Sequence, residues 1–200
     1  LVFIHGGAFS TGGSSAALYN PVDLLVNGFG GEAIVVTFDY RLGVFGYAAG
    51  EHLLADSDEP VGNYGLQDQM AALQWVREHI KHFNGDPNSI TVMGHSAGAM
   101  STSYLQLLAP QLAAKWVLLS GTAFGWKWRE ADSAFETQVW NELAAGVNCD
   151  PENVDAMRSV DASLLVNAAA AFKGDFLFGP TIDKRLIYGT PVNASSLGIG

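Results

Sequence analysis

The stretch Ile90-Thr91-Val92-Met93-Gly94-His95-Ser96-Ala97-Gly98 decides the fold of this chain. Its apolar and β-branched start predicts a buried strand, and the G-H-S-A-G that follows predicts a sharp turn into a helix over residues 97–108. The pattern G-x-S-x-G is typical of a nucleophile elbow, which raises a serine hydroxyl above the end of a sheet. Such a turn leaves no room for a β-carbon at Gly94 or Gly98, and it holds Ser96 in an unusual backbone conformation. From these residues alone, an ordinary strand-to-helix junction is the alternative.

The composition is that of a globular protein. The chain has 200 residues, of which 48% are hydrophobic, and this is enough to bury a sizeable core. Its net charge of −10 argues against nucleic acid as a partner, because phosphate binding requires a basic surface. Cys149 is the only cysteine, which excludes a disulfide within the chain and a CxxC redox or zinc motif. The chain begins at Leu1 inside a strand-like run, and we interpret it as a fragment without its front end.

Strands and helices alternate along the first part of the chain. Apolar or β-branched runs at residues 1–4, 32–40 and 115–120 predict three further buried strands. Residues 62–83 carry apolar side chains at helical spacing and predict a long helix. This alternation predicts an α/β fold with a mostly parallel sheet and helices on both faces, whose ligands bind at the carboxyl ends of the strands.

A glycine-rich loop, His5-Gly6-Gly7-Ala8-Phe9, directly follows the first predicted strand. Consecutive glycines allow the backbone to present several N–H groups towards one point, which is what a forming oxyanion requires. The alternative is a simple glycine-rich turn, and the lack of a following G-K-[ST] argues against a phosphate-binding loop. Because this loop and Ser96 both follow the ends of parallel strands, we expect them to meet.

The sequence beyond residue 121 is less informative. Residues 131–146 and 153–171 predict amphipathic helices. Trp126 and Trp128 precede these helices, and they either line a pocket or pack in a core. Asn193-Ala194-Ser195 is an N-glycosylation sequon, which weakly favours a secreted or ER-lumenal protein.

Several motifs occur in an order that is more specific than any one of them. They are His5-Gly6-Gly7-Ala8-Phe9, Tyr40-Arg41-Leu42-Gly43, Gly62-Asn63-Tyr64-Gly65-Leu66, Asp68-Gln69, Ala72-Leu73-Gln74-Trp75-Val76, Phe83-Asn84-Gly85-Asp86-Pro87, the elbow itself and Pro180-Thr181-Ile182-Asp183. Together they resemble the type-B carboxylesterase and cholinesterase family. The resemblance covers nearly everything from residue 1 to about residue 121, and it continues more loosely to residue 183.

The resemblance implies an α/β-hydrolase fold. We expect residues 1–200 to be part of a single domain of this kind. Within that domain, residues 1–121 form a strand-rich front with the glycine-rich loop and the elbow, and residues 122–200 form a mainly helical segment.

The resemblance also implies hydrolysis of a small-molecule ester through an acyl-enzyme, with Ser96 as the nucleophile. Gly7, Ala8 and Ala97 match the positions whose backbone N–H groups form the oxyanion hole of the family. The change from glycine to alanine at Ala8 keeps the N–H group. The resemblance implies neither a cofactor nor a metal ion, and the oligomeric state is not predicted.

One departure from the family lies next to the proposed nucleophile. The family often has a glutamate there, which helps cholinesterases to receive cationic choline esters, and this chain has His95. We therefore favour a general carboxylesterase over a cholinesterase. We assign His95, Trp126 and Trp128 as candidate substrate-binding residues. His95 is not assigned as the catalytic base, because adjacent side chains at an elbow diverge.

The second departure concerns the catalytic triad, which runs in the order serine, acid, histidine in this fold. No histidine follows Ser96 in the sequence. We therefore expect the glutamate or aspartate and the histidine to lie beyond residue 200, and we expect this segment alone to be inactive.

Two other classes of protein remain as alternatives. A non-catalytic, cholinesterase-like adhesion or binding protein would share the fold, but such relatives commonly lose the nucleophile, whereas Ser96 and its glycines are intact. A lipase of the hormone-sensitive type shares the HGG loop and G-x-S-x-G. It lacks the YRLG and ALQWV segments found here, so we set it lower.

Overall fold

A computed structural model of the chain describes residues 1–126, 128–172 and 177–190. The predicted sequon at Asn193 lies outside these residues. The strands and helices are, in chain order, β1 (Val2–Ile4), β2 (Val36–Thr37), α1 (Gly43–Tyr47), α2 (Glu51–Asp56), α3 (Tyr64–His79), β3 (Thr91–His95), α4 (Ala97–Leu108), β4 (Lys115–Leu119), α5 (Ala134–Gly146), α6 (Val154–Arg158) and α7 (Ala162–Ala170). Short 3₁₀ helices and one π-helical turn lie between them.

The described residues form two compact units. The first combines Leu1–Tyr40 with Leu66–Trp126, and the second combines Arg41–Gly65 with the described residues that follow Trp126. The assignment of residues 1–200 to one domain stays a prediction.

The first unit contains a four-stranded parallel sheet in the order β2-β1-β3-β4. Strand β1 lies between β2 and β3, all of its residues are buried, and Ile4 is in register with Gly94 of β3. Because paired strands run in the same direction, the carboxyl ends of β1 and β3 lie side by side. This arrangement confirms the prediction of a parallel sheet.

Two of the strand predictions were wrong in extent or burial. The predicted strand at residues 32–40 is reduced to β2, which is half-buried. The predicted buried strand at residues 115–120 is β4, in which Val117 is 36% exposed and Leu119 is 41% exposed. Within the described residues, β2 and β4 are the two edge strands and each pairs on one side only. An apolar run predicts a strand, but it does not reveal whether a neighbour covers it.

Helices α3 and α4 agree closely with prediction. Helix α4 spans residues 97–108 as expected, and α3 continues through a 3₁₀ helix, Ile80–Phe83, to the predicted end. The large apolar side chains on the buried face of this long helix are Leu66, Leu73, Val76 and Ile80. It ends because Asn84 adopts a left-handed conformation with φ 63°.

The second unit is mainly helical, and side-chain caps define where α5, α6 and α7 begin. The prediction for residues 131–146 corresponds to α5, and the side chain of Ser133 caps its first turn. The single helix predicted for residues 153–171 is two helices, α6 and α7. The reason is Asp161, whose carboxylate accepts a hydrogen bond of 2.8 Å from the N–H of Ser163 and starts a new helix. Within the described residues, no helix is both long and apolar enough to cross a membrane.

A buried ion pair joins Arg129, which precedes α5, to Glu136 in the first turn of α5. The Arg129 guanidinium donates to the carboxylate of Glu136, which is 2% exposed, and also to the carbonyl oxygen of Leu177 at 2.8 Å. The guanidinium lies 4.4 Å from the centre of the Phe135 ring. Burial raises the pKa of Glu136, and the charge and hydrogen bond of Arg129 oppose that rise. The carboxylate is therefore tolerated inside the unit because the arginine is present.

Replacing Arg129 by methionine should destabilise the full-length protein by about 3 kcal/mol, because it leaves Glu136 buried without its partner. The loss should become smaller as the pH falls, since protonation of Glu136 removes the unpaired charge. Urea unfolding at pH 5 and pH 8 measures both effects. Arg158→Met is the matched control. Its side chain is 54% exposed beside Asp56 and Asp155, and an exposed pair contributes at most about 1 kcal/mol. Equal losses for the two variants would contradict the prediction.

Candidate active site

Ser96 occupies a strained turn between β3 and α4. Its backbone has φ 55° and ψ −120°, which confirms the unusual conformation predicted for the elbow. Its N–H donates to the carbonyl oxygen of Leu119 at 2.8 Å, and its carbonyl oxygen accepts from the N–H of Met100 at 3.0 Å. The side chain is half-buried, and its Oγ has no hydrogen-bond partner among the described residues. The backbone is thus held on both sides while the hydroxyl stays available.

The two glycines of the motif are required by backbone contacts. A β-carbon added to Gly94 would overlap the carbonyl group of Gly98 and the hydroxyl of Thr102. A β-carbon on Gly98 would overlap the carbonyl oxygen of Ile4 and lie 2.6 Å from that of His5. Helix α4 therefore rests directly on the backbones of β3 and β1, and this contact aims its first turn at the end of the sheet.

The glycine-rich loop after β1 meets the elbow, as expected. A β-carbon added to Gly6 would lie 2.6 Å from the carbonyl oxygen of His95 and 3.0 Å from the β-carbon of Ser96. This proximity follows from the pairing of Ile4 with Gly94, which places the two loops next to each other. Gly6 is thus the residue of the loop that touches the elbow, although the motif itself did not single it out.

The loop adopts a conformation that leaves backbone donors unused. Gly7, Ala8 and Phe9 have positive φ angles of 132°, 54° and 60°. Within the described part of the chain, the N–H groups of Gly7 and Ala8 donate to no protein acceptor. Ala97 is the first residue of α4, so its N–H has no acceptor within the helix, and the positive end of the helix dipole lies there. These groups are suited to binding a negatively charged oxygen.

Trp126 packs against Phe9 in the glycine-rich loop. Its ring packs edge-on against the ring of Phe9, with centroids 5.0 Å apart and an interplanar angle of 77°. Both side chains are buried, at 5% and 0% exposure respectively. Phe9 follows Ala8 directly, so the aromatic pair holds the loop in place.

Sequence reasoning missed one further residue of the elbow. A β-carbon on Gly121, which follows β4, would overlap the carbonyl oxygen of Ser96 and lie 3.2 Å from the β-carbon of Ala99. The only signal was its position after a predicted strand, and this did not reveal its neighbour.

Comparison with known proteins identifies the family of this chain. A family model described as "Carboxylesterase family" matches residues 1–197. The chain belongs to the carboxylesterase family.

Individual carboxylesterase-family relatives match along almost the whole chain. The chain is 35% identical over 207 residues to the para-nitrobenzyl esterase of Bacillus subtilis (strain 168), an alignment that covers 99% of this chain and 40% of that protein. It is 36% identical over 211 residues to the cholinesterase of Mus musculus, covering 99% of this chain and 33% of that protein. The chain thus spans well under half the length of these curated relatives.

Solved structures of esterases confirm the fold class. A carboxylesterase of Geobacillus stearothermophilus superimposes with a TM-score of 0.83 and 32% sequence identity, over 96% of this chain and 41% of that one. A structure named PNB esterase gives a TM-score of 0.80 with 33% identity. The predicted α/β-hydrolase fold is therefore correct, and this carboxylesterase-family chain contains part of it.

His95 directly precedes Ser96 in this carboxylesterase-family chain. Its ring centre is 6.4 Å from that of Tyr19, which in turn lies 4.9 Å from the ring of Phe3. The Nδ1 atom of His95 is buried and has no hydrogen-bond partner among the described residues. His95 therefore faces Tyr19 and makes no hydrogen bond to Ser96.

The remaining predicted residue, Trp128, belongs to the second unit and is half-buried. The substrate-binding roles of Trp128, Trp126 and His95 stay predictions. The described residues contain no cluster of three or more histidine, cysteine, aspartate or glutamate side chains suited to a metal ion.

Proposed function

We propose that the protein containing this chain is a serine carboxylic-ester hydrolase that acts through an acyl-enzyme. The observation that carries this proposal is the contact between the two loops, in which Gly6 lies against Ser96. The Ser96 hydroxyl has no hydrogen-bond partner among the described residues, and the N–H groups of Gly7 and Ala8 donate to no acceptor there. A serine in a strained turn beside free backbone donors is suited to attack on a carbonyl carbon.

The proposed reaction has two stages. The Oγ of Ser96 attacks the ester carbonyl, its proton passes to a base, and the N–H groups of Gly7, Ala8 and Ala97 stabilise the negative oxygen of the tetrahedral intermediate. The intermediate then expels the alcohol, which takes up the proton, and water hydrolyses the acyl-enzyme by the same route. Loss of a single donor of this kind typically lowers the rate by a factor of about 100 to 1,000.

The base and its orienting acid are proposed to be a histidine and a glutamate or aspartate beyond residue 200. The arrangement of the existing histidines supports this. The Ser96 hydroxyl makes no hydrogen bond with any of them among the described residues, and His5 and His95 make contacts of their own. The substrate is proposed to be a small neutral ester, with His95, Trp126 and Trp128 as candidates for contact with it.

Covalent labelling of the full-length protein tests the proposal. A fluorophosphonate probe should modify the native protein stoichiometrically, and mass spectrometry of the digest should place the adduct on Ser96. Excess p-nitrophenyl acetate should slow the labelling, and heat-denatured protein should not react. A folded full-length protein that neither reacts nor hydrolyses the ester would overturn the enzyme proposal in favour of the adhesion or binding protein.

A further inference from the structure

The side chain of His5 is buried at the start of the glycine-rich loop. It is 1% exposed, and its ring stacks on that of Tyr40 with centroids 4.5 Å apart and an interplanar angle of 21°. Its Nδ1 atom lies 2.9 Å from the carbonyl oxygen of Gly6. A carbonyl oxygen only accepts hydrogen bonds, so the proton of this contact is on Nδ1. His5 therefore holds the carbonyl group of the residue that follows it.

This contact determines the direction of the next N–H group. In a planar trans peptide, the carbonyl of one residue and the N–H of the next point in opposite directions, and the described residues contain no cis peptide bond. The carbonyl of Gly6 faces His5 and Gly12, while its α-carbon faces Ser96. The Gly7 N–H therefore points away from the imidazole.

The direction of the Ala8 N–H is set by other contacts than that of the Gly7 N–H. The carbonyl oxygen of Gly7 accepts from the N–H groups of Ser10 at 3.0 Å and Thr11 at 2.9 Å, and from the Thr11 hydroxyl at 3.2 Å. By the same argument these three bonds fix the direction of the Ala8 N–H. Within the described residues, the carbonyl of Gly6 accepts one hydrogen bond only, that from His5. The Gly7 donor thus depends on a single side chain.

His5 itself is held in one orientation. The hydroxyl of Tyr40 donates to the carbonyl oxygen of His5 at 2.8 Å. Burial, with a further contribution from Tyr19, raises the pKa of Tyr40, so this hydroxyl stays a donor. The Nε2 atom of His5 lies 3.9 Å from Oδ1 of Asp39, the same oxygen that accepts from the N–H of Ser14 at 2.7 Å. The ring therefore has one edge towards Asp39 and the other towards Gly6.

We propose that His5 is a positioning residue for the oxyanion hole, which aims the Gly7 N–H by holding the Gly6 carbonyl. This inference rests on the proposed ester hydrolysis and adds a residue to its machinery. The His5 side chain makes no hydrogen bond to Ser96 among the described residues. It acts through the Gly6–Gly7 peptide, so its contribution belongs to the charged intermediate and not to binding of the neutral ester.

Two substitutions separate hydrogen bonding from packing. His5→Phe keeps a ring that can stack on Tyr40 but removes the donor, whereas His5→Asn places an amide N–H where Nδ1 now lies. In the full-length protein, His5→Phe should lower kcat for p-nitrophenyl acetate by about 10- to 100-fold, with KM changed less than about twofold. His5→Asn should restore kcat to within about threefold of wild type. Inhibition by an alkyl trifluoromethyl ketone, which forms an anionic adduct with a serine, should weaken in parallel with kcat.

Two results would overturn the inference: a folded His5→Phe protein with wild-type kcat, or equal losses of kcat in the Phe and Asn variants. If His5→Phe does not fold, His5→Gln takes its place, since its amide lies one methylene further out and should not rescue kcat. Ser96→Ala in the same assay separates the two proposals. Activity that survives Ser96→Ala refutes the proposed function, whereas a dead Ser96→Ala with a fully active His5→Phe refutes the role of His5 alone.

Discussion

Substituting Ser96 by alanine in the full-length protein should lower kcat for p-nitrophenyl acetate by roughly 10⁴- to 10⁶-fold, because the proposed acyl-enzyme forms on the hydroxyl that is removed. Labelling by the fluorophosphonate should disappear with the activity. The substitution removes a hydroxyl that has no hydrogen-bond partner among the described residues. The thermal midpoint of unfolding should therefore stay close to that of wild type, which makes the loss a chemical effect.

Two further variants make this result specific. Ser89→Ala removes an exposed serine in the turn that precedes β3, and it should leave kcat unchanged. Ser96→Gly should be as inactive as Ser96→Ala. Its free energy of unfolding should exceed that of Ser96→Ala by about 1 kcal/mol, because glycine adopts a positive φ without the strain of a β-carbon. Turnover that persists in either Ser96 variant would remove Ser96 from the role of nucleophile.

Substituting Gly98 by alanine should destabilise the protein by more than about 4 kcal/mol and abolish activity, because the new β-carbon has no space. It would overlap the carbonyl oxygen of Ile4 and lie 2.6 Å from that of His5. Both neighbours are backbone atoms of β1 and the glycine-rich loop, which cannot move aside without breaking the sheet. Calorimetry measures the stability, and ester hydrolysis measures the effect on the site.

Gly125→Ala is the matched control. An added β-carbon there would have its nearest neighbour, the Met100 methyl group, at 3.8 Å, which is an ordinary contact. This variant should unfold within about 1 kcal/mol of wild type and keep its activity. A Gly98→Ala protein as stable as Gly125→Ala would show that α4 does not rest on β1 as described.

The elbow could be predicted from the sequence because its constraints are local. The start of α4 at Ala97 and the strain at Ser96 follow from a strand, a turn and a helix within nine residues. The break between α6 and α7 was also encoded locally, by the capping side chain of Asp161, but we missed it because the apolar spacing continues across it. A turn or a capping side chain therefore allows the start of a helix to be predicted from the sequence, unless the helical spacing of apolar residues continues across it.

By itself, the sequence determined the parallel α/β class, the position of the elbow serine and the glycine-rich loop that lies next to it. Only the tertiary structure decided that β1 lies beside β3, that β4 is an edge strand among the described residues, and that Gly6 and Gly121 touch the elbow. It also decided that His5 holds the Gly6 carbonyl. The physical reason is that apolar spacing reports which kind of element a segment forms and which of its faces is apolar. Strand order and peptide direction depend instead on which distant segment supplies the partner.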